Sequence, residues 1–423
     1  MKEIKVLYGK GAKTFKIPDE NLAQIVTPQV IPGNGDQTKI IDEAIKHPIN
    51  GPSLKELTKD VKNILIISPD NTRPMPSRIS IPAIIKNFYH EDSHYHITIL
   101  IATGLHRKMT DEEILERYGE ETVKKYDIIN HVAKDDSEQV SMGKMSTGNE
   151  LFVDKRVLDN DLIIGEGFIE PHFFAGFSGG RKCVLPGIAS KDTILNNHCP
   201  QNIANAHATA GSLDGNPIHE EATEAAKKVG LAFILNVALN QEKAVVAAFA
   251  GDFVEAHKKG CEFVREHMKV PVKPADIVIT SNDGFPLDRN LYQSVKGMDT
   301  SSRAVKKGGV IILCSECSDK ANGNNAFEEL IAAAPTKEEL YSTMSTGKPE
   351  VDKWEVQIFA RVVKDHTVIF VSDNYDEQSA KDLFMIHATS PEDAMEKAFA
   401  IAGKNAKVNV MPEGPVTLPI RED

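Results

Sequence analysis

Cysteine is scarce, with five residues in a chain of 423. So few, and an odd number, exclude a disulfide framework and point to reduced thiols. Long apolar runs are missing as well. Stretches such as Ile97 to Ala102 and Val310 to Cys314 fall far short of the roughly 20 residues that a membrane-spanning helix needs. The opening Met1-Lys2-Glu3-Ile4-Lys5 carries no apolar signal segment, so a cytoplasmic protein without a membrane role is expected. Positive charge is in deficit: 49 Lys and Arg stand against 61 Asp and Glu, a formal net charge of −12. That field repels polyphosphates and argues against nucleic acid as a partner. No internal repeat, low-complexity tract or long charge block is present, which removes solenoids and interaction tails.

What is there is an ordinary globular composition, 41% hydrophobic and 26% charged, in a chain long enough to divide into two large domains. Short β-rich runs alternate with helical patterns almost throughout, the signature of parallel sheets flanked by helices, so the fold class is α/β. Strands are expected over Asn63 to Ser68, His96 to Thr103, Asp161 to Gly165, Leu231 to Leu239, Ile277 to Thr280, Val310 to Cys314 and Val368 to Val371. Apolar residues at helical spacing predict helices over Asp252 to Met268, Leu291 to Lys307, Val351 to Lys364 and Pro391 to Ala402. Two prolines in Val270-Pro271-Val272-Lys273-Pro274 exclude a helix and mark a linker. Residues 1–270 are therefore expected as an N-terminal α/β domain, 275–405 as a C-terminal α/β domain, and 406–423 as an irregular strap with a course back to the N-terminal domain open to it. Cys314 and Cys317 form a CxxC, but it closes an apolar run and has no second pair, so it reads as a strand end.

Three segments place polar groups just after a predicted strand, where open α/β sheets bind ligands. In Ser68-Pro69-Asp70-Asn71-Thr72-Arg73-Pro74 a carboxylate and a guanidinium lie three residues apart; they either grip a carboxylate or phosphate or pair with each other to cap the next helix. In Ala102-Thr103-Gly104-Leu105-His106-Arg107, His106 is either an acid–base group or a solvated loop histidine. The segment from Gly165 to Lys182 packs together glycines, aromatics, His172, Arg181 and Lys182. Its glycines allow close backbone approach to an anion, yet Gly180-Arg181-Lys182-Cys183 lacks the hydroxyl that a P-loop requires. His198, next to Cys199-Pro200, is either a metal ligand or a histidine at a helix C-terminus. Gln293 and Lys296 share a helix face, where Lys296 meets a carboxylate or is simply solvated. The lone tryptophan, Trp354, reads as core packing. His94 and His96 have no evident third ligand and read as exposed.

Together, Asp70-Asn71-Thr72-Arg73, Ala102-Thr103-Gly104-Leu105-His106-Arg107, Ile169-Glu170-Pro171-His172 with Ser178-Gly179-Gly180-Arg181-Lys182, and Gln293-Ser294-Val295-Lys296-Gly297 resemble the nickel-dependent lactate racemase family over essentially the whole chain. The resemblance implies two domains with the active site in the cleft between them. It also implies nickel held by a pyridinium-3-thioamide-5-thiocarboxylate mononucleotide, the nickel pincer nucleotide. In these terms Lys182 is the covalent attachment point, His198 the protein's nickel ligand, and His106 and His172 the acid–base pair of a proton-coupled hydride transfer. Arg73 and Lys296 bind the substrate carboxylate, flanked by Gln293 and Tyr292. Asp70 contacts the nucleotide ribose or orients Arg73, while Gly176, Ser178, Gly179 and Gly180 lie against the nucleotide. Cofactor-synthesis and nickel-insertion proteins are implied as partners.

Three other readings stay open on the sequence. The substrate is malate or a longer aliphatic or aromatic 2-hydroxy acid, since pocket shape discriminates such acids only weakly. The segment Gly176 to Lys182 belongs to a nucleotide-binding phosphotransferase, against which Cys183 weighs. The chain stores or delivers the nickel nucleotide without catalysing anything.

Overall fold

Isoleucine and leucine fill both faces of Asn63–Pro69, His96–Ala102 and Leu162–Phe168, a pattern that suits strands covered on both sides. In the computed structural model, which describes residues 1–29, 31, 33, 35–319 and 325–422, these three lie together in a six-stranded sheet. Its order is Val245–Gly251, Leu231–Leu239, Leu162–Phe168, Asn63–Pro69, His96–Ala102, Asp127–Asn130. All neighbours are parallel except the edge strand Val245–Gly251. One face packs on helices Gln37–Lys46 and Ser77–Lys86 through Ile41, Ile45, Ile81 and Ile84. The other packs on Pro217–Val229 through Ala222, Ala225 and Ala226. Each isoleucine so buried stabilises the unit by about 1.5–3 kcal/mol. This sheet belongs to one of two units, formed by Val30–His198 with Ala206–His267.

The other unit comprises Met1–Gln29, Cys199–Asn205 and Met268–Asp423. Its sheet is wholly parallel, in the order Ile386–Ala388, Thr367–Val371, Val305–Cys314, Ala275–Ser281, Val408–Met411, Leu22–Ile25. The N-terminal residues join this unit because Leu22–Ile25 pairs with Val408–Met411. The hairpin Lys2–Tyr8/Gly11–Ile17 also sends Ile4, Val6, Phe15 and Ile17 into the same core. No helix among the described residues is long and apolar enough to cross a membrane.

Several predicted boundaries move. The helix starting at Leu291 ends at Ser301 rather than Lys307, because Val305–Cys314 is already strand. Gly309 sits so close to its neighbour strand that a Cβ there would meet Asp276 O at 2.7 Å. The proline-bearing segment is not irregular throughout: Lys269–Val272 pairs in parallel with Leu418–Arg421, an isolated two-stranded ribbon in which prolines are tolerated. Part of the expected strap is thereby strand. The helix Pro391–Ala402 and the strand Leu231–Leu239 have the predicted limits, and Cys314 ends its strand.

A buried charge cluster locks the loops beside the first sheet. Asp154 Oδ2 lies 3.0 Å from His131 Nδ1, and its Oδ1 accepts from Arg156 at 2.8 Å. His131 Nε2 faces Ala189 O at 3.0 Å. Burial alone would raise the pKa of Asp154, but the hydrogen bonds from His131 and Arg156 outweigh it and hold the carboxyl below its usual range. Asp154→Ala leaves the buried His131 Nδ1 without its partner, while Arg156 keeps Glu138 at 2.7 Å, and should destabilise the protein by about 1–3 kcal/mol. A chemical denaturation midpoint close to that of the unsubstituted protein would refute this.

Candidate active site

Asp70, on the loop leaving Asn63–Pro69, is 2% exposed. Its Oδ1 accepts from the amide and hydroxyl of Thr72 at 3.0 and 2.5 Å, and its Oδ2 lies 2.6 Å from His106 Nδ1. Burial alone would raise this carboxyl's pKa, yet His106, Arg73 and Thr72 together lower it. The carboxylate therefore stays ionised and accepts the Nδ1 hydrogen of His106, which leaves Nε2 carrying the lone pair. Its two oxygens are engaged by His106 and Thr72. Arg73 Nη1 donates instead to Thr72 Oγ1 at 3.0 Å. A second tie joins the two loops, with Glu113 accepting from Asn71 at 2.7 Å and from both Arg107 nitrogens at 2.5 and 2.7 Å.

Beneath this pair, Glu166 on Leu162–Phe168 is buried and accepts from Ser68 at 2.5 Å, Ser77 at 2.6 Å and Ser80. Those serines lie on either side of residues 69–76, so one carboxylate fastens both ends of the loop that carries Asp70 and Arg73.

His172, Lys182 and His198 surround one ring, that of Phe174. Phe174 meets His172 edge-on at 4.5 Å between centroids and His198 edge-on at 5.0 Å, and Lys182 Nζ stands 5.7 Å from its centre. His198 caps the helix Lys191–Asn197. Burial, with the nearby charge of Lys182 adding to it, pushes its pKa down to about 3, so the imidazole is neutral at pH 7. At His172 the Ala175 amide donates to Nδ1 at 3.3 Å, which assigns the hydrogen to Nε2. The His106 loop reaches the Lys182 turn through its backbone: Gly104 N donates to Gly187 O at 3.0 Å, and Gly187 N to Lys182 O at 3.1 Å. Cys183, next in the chain, is held protonated because burial lifts its thiol to about 12.

The glycines of this segment are required by packing. Gly176 has φ +78°, and a Cβ there would lie 2.1 Å from Ser212 O; at Gly180 (φ +54°) it would strike His257 at 2.6 Å. Ser178 Oγ donates to Phe168 O and accepts from Glu170 N, both at 2.9 Å, and Gly180 N donates to Asn236 Oδ1 at 2.7 Å. These bonds fix the loop, Ser178 within the segment and Gly180 against the strand Leu231–Leu239. Gly179, at φ +78°, would bring a Cβ within 2.7 Å of Asn236 Oδ1. Gly176→Ala should destabilise the unit by about 1–3 kcal/mol from backbone strain alone, more with the clash. A melting temperature unchanged from that of the unsubstituted protein would contradict this.

In the other unit, Lys296 Nζ donates to Gln293 Oε1 at 2.8 Å across one turn of Leu291–Ser301, as their spacing predicts. Tyr292 packs edge-on against Phe327 at 5.5 Å. Burial, then the charges of Glu355 and Asp352, push its phenol well above 10. Trp354 is buried. Glu355 is buried, and desolvation raises its carboxyl well above the usual range against the opposing charge of Lys296. His94 and His96 are exposed, with His94 Nε2 3.0 Å from Lys62 Nζ. Sequence reasoning missed the Asp70–His106 contact, Phe174, Glu166 and Glu355. None of them carries a periodic or motif signal.

Comparison with known proteins places this geometry. The family model described as the lactate racemase N-terminal domain matches residues 8–211, and that of the lactate racemase C-terminal domain matches 270–418. A curated lactate racemase of Thermoanaerobacterium thermosaccharolyticum is 42% identical over 426 aligned residues, covering 100% of both chains. One of Lactiplantibacillus plantarum is 41% identical, covering 98% of this chain and 99% of that protein. The solved lactate racemase apoprotein from T. thermosaccharolyticum superposes with a TM-score of 0.95 over 100% of both chains at 41% identity. A crystal structure from Thermotoga maritima, at 18% identity and a TM-score of 0.63 over 92% of this chain and 99% of that one, shares the fold.

Proposed function

This chain belongs to the lactate racemase family, and we propose that it interconverts D- and L-lactate using a nickel pincer nucleotide tethered to Lys182. The observation that carries the reading is the convergence of His172, Lys182 and His198 on the Phe174 ring. Lys182 offers an amine for covalent attachment. His198 offers a neutral, buried imidazole, a donor that nickel accepts. One imidazole cannot hold a metal ion firmly, so the nucleotide attached at Lys182 would supply the remaining donors beside His198. When bound, that cofactor supplies the acceptor and donor for the hydrogen on the substrate's C2.

The chain's own residues handle protons and charge. His106 Nε2, with its lone pair fixed by Asp70, takes the hydroxyl proton of one enantiomer. His172 is the second proton-transfer group and, as an imidazolium, returns a proton on the path to the other. Arg73 and Lys296 bind the carboxylate, and Gln293 holds the Lys296 ammonium in place. Cofactor-synthesis and nickel-insertion proteins deliver the nucleotide.

The test is direct. Protein made alongside those maturation enzymes is given D-lactate or L-lactate alone and followed by chiral chromatography, with malate and longer aliphatic and aromatic 2-hydroxy acids in parallel. Approach to an equal mixture from either lactate, faster than with the other acids, is the expected result. A nickel-loaded protein that leaves every pure enantiomer intact refutes the proposal.

A further inference from the structure

Behind the Lys182 turn, the unit Val30–His198/Ala206–His267 contains a cavity of about 230 Å³, walled by helices Pro217–Val229 and Glu255–Met268 and by the turn Gly180–Cys183. Arg181 projects into its wall and is 1% exposed. Its guanidinium donates to Ala175 O at 2.7 Å and Gly179 O at 3.3 Å, and Nη1 lies 3.1 Å from His257 Nε2. Arg181 Nε has no partner, and no carboxylate forms an ion pair with Arg181 among the described residues. A buried cation without a counter-ion is costly. Burial accordingly lowers the pKa of Arg181 to about 10. On the facing helix, His219 Nδ1 is likewise buried without a partner, and its ring stacks over His257 at 6.4 Å.

We propose that this cavity is an oxyanion site for a phosphate-class group, bound by Arg181 Nε and His219 Nδ1. Arg181 Nε lacks an acceptor, His219 Nδ1 lacks any partner and can donate in the tautomer that carries its hydrogen, and the two stand on different walls, so a tetrahedral anion with oxygens in several directions satisfies them together. A metal ion is disfavoured, although His219, His257 and Cys261 line the same space. The Arg181 charge repels it, and burial keeps the Cys261 thiol protonated by raising it to about 12. The acidic residues of the lining lie farther out: Asp214 is exposed, Glu255 is half-buried, and Glu262 is engaged by Lys259 at 2.9 Å. An anion here fastens Arg181. Through the carbonyls of Ala175 and Gly179 it also fastens the segment that carries His172 and Lys182. The site needs neither the tether nor nickel and stands independently of the proposed racemase activity.

Inorganic phosphate titrated into the full-length protein, monitored by calorimetry and by the histidine ring nitrogen resonances, tests this. The expected result is a single site whose filling shifts the signals of His219 and His257 and leaves His131 unmoved. His219→Phe should weaken it at least tenfold with circular dichroism unchanged, while Lys182→Ala leaves it intact. A parallel titration with a nucleoside monophosphate separates the sources: tighter binding than phosphate assigns the site to a phosphorylated metabolite, weaker binding to the free ion. Absence of phosphate binding, unmoved His219 and His257 signals, or undiminished affinity in a folded His219→Phe protein overturns the proposal.

Discussion

Lys182→Ala protein, produced beside the cofactor-making enzymes, is expected to show the mass of the bare polypeptide where the unsubstituted chain carries the added nucleotide. Racemisation should drop to background, a loss on the order of 10⁶-fold or more if the cofactor performs the bond-breaking step. The substitution is structurally mild. The backbone of residue 182 bonds to Gly179 O and Gly187 N, both at 3.1 Å, and alanine retains both contacts. Loss of the amine also removes the charge that helps depress His198. Lys182→Arg keeps that charge but offers no amine for a thioamide, so it should be as inactive as alanine and equally free of added mass. An unmodified protein with full activity would refute the tether.

Asp70→Asn should lower kcat by on the order of 10³–10⁴-fold while the protein stays folded, by analogy with removal of the carboxylate that orients a catalytic histidine. An amide nitrogen turned to His106 presents a donor where the ring now donates, and the ring responds by moving its hydrogen to Nε2. The nitrogen that should accept the substrate proton then carries one already. The hydrogen bonds of Thr72 to Oδ1 survive in the amide, which separates this effect from collapse of the loop. Substrate KM should change far less than kcat, because Arg73 is held through Thr72 and not by an ion pair with Asp70. A kcat within tenfold of the unsubstituted enzyme would show that His106 does not depend on this carboxylate for its tautomer.

The sequence carried the fold class well, because the signals for it are local. Leu231–Leu239 reads as a strand from its apolar residues alone, and Pro391–Ala402 as a helix from its spacing and from Ser390 at the N-cap. Motif order also brought His106, His172, Lys182 and His198 into consideration together. Local patterns misled where tertiary pairing overrode them. The helical spacing beyond Ser301 gave way to a strand that the central sheet recruits, and the prolines after Met268 did not prevent Lys269–Val272 from pairing with Leu418–Arg421.

Alternating strands and helices, reduced thiols and a set of reactive side chains followed from the order of amino acids, since periodicity and composition act over a few residues. Which side chains meet was decided by the folded chain. Asp70 and His106 are 36 residues apart, Glu166 reaches serines more than 80 residues before it, and Leu22–Ile25 pairs with strand Val408–Met411 near the far end of the chain. The Asp70–His106 contact arises because parallel strands bring the loops at their C-terminal ends to one edge of a sheet, and all three depend on a strand order that is a property of the whole core and that no short stretch of sequence contains.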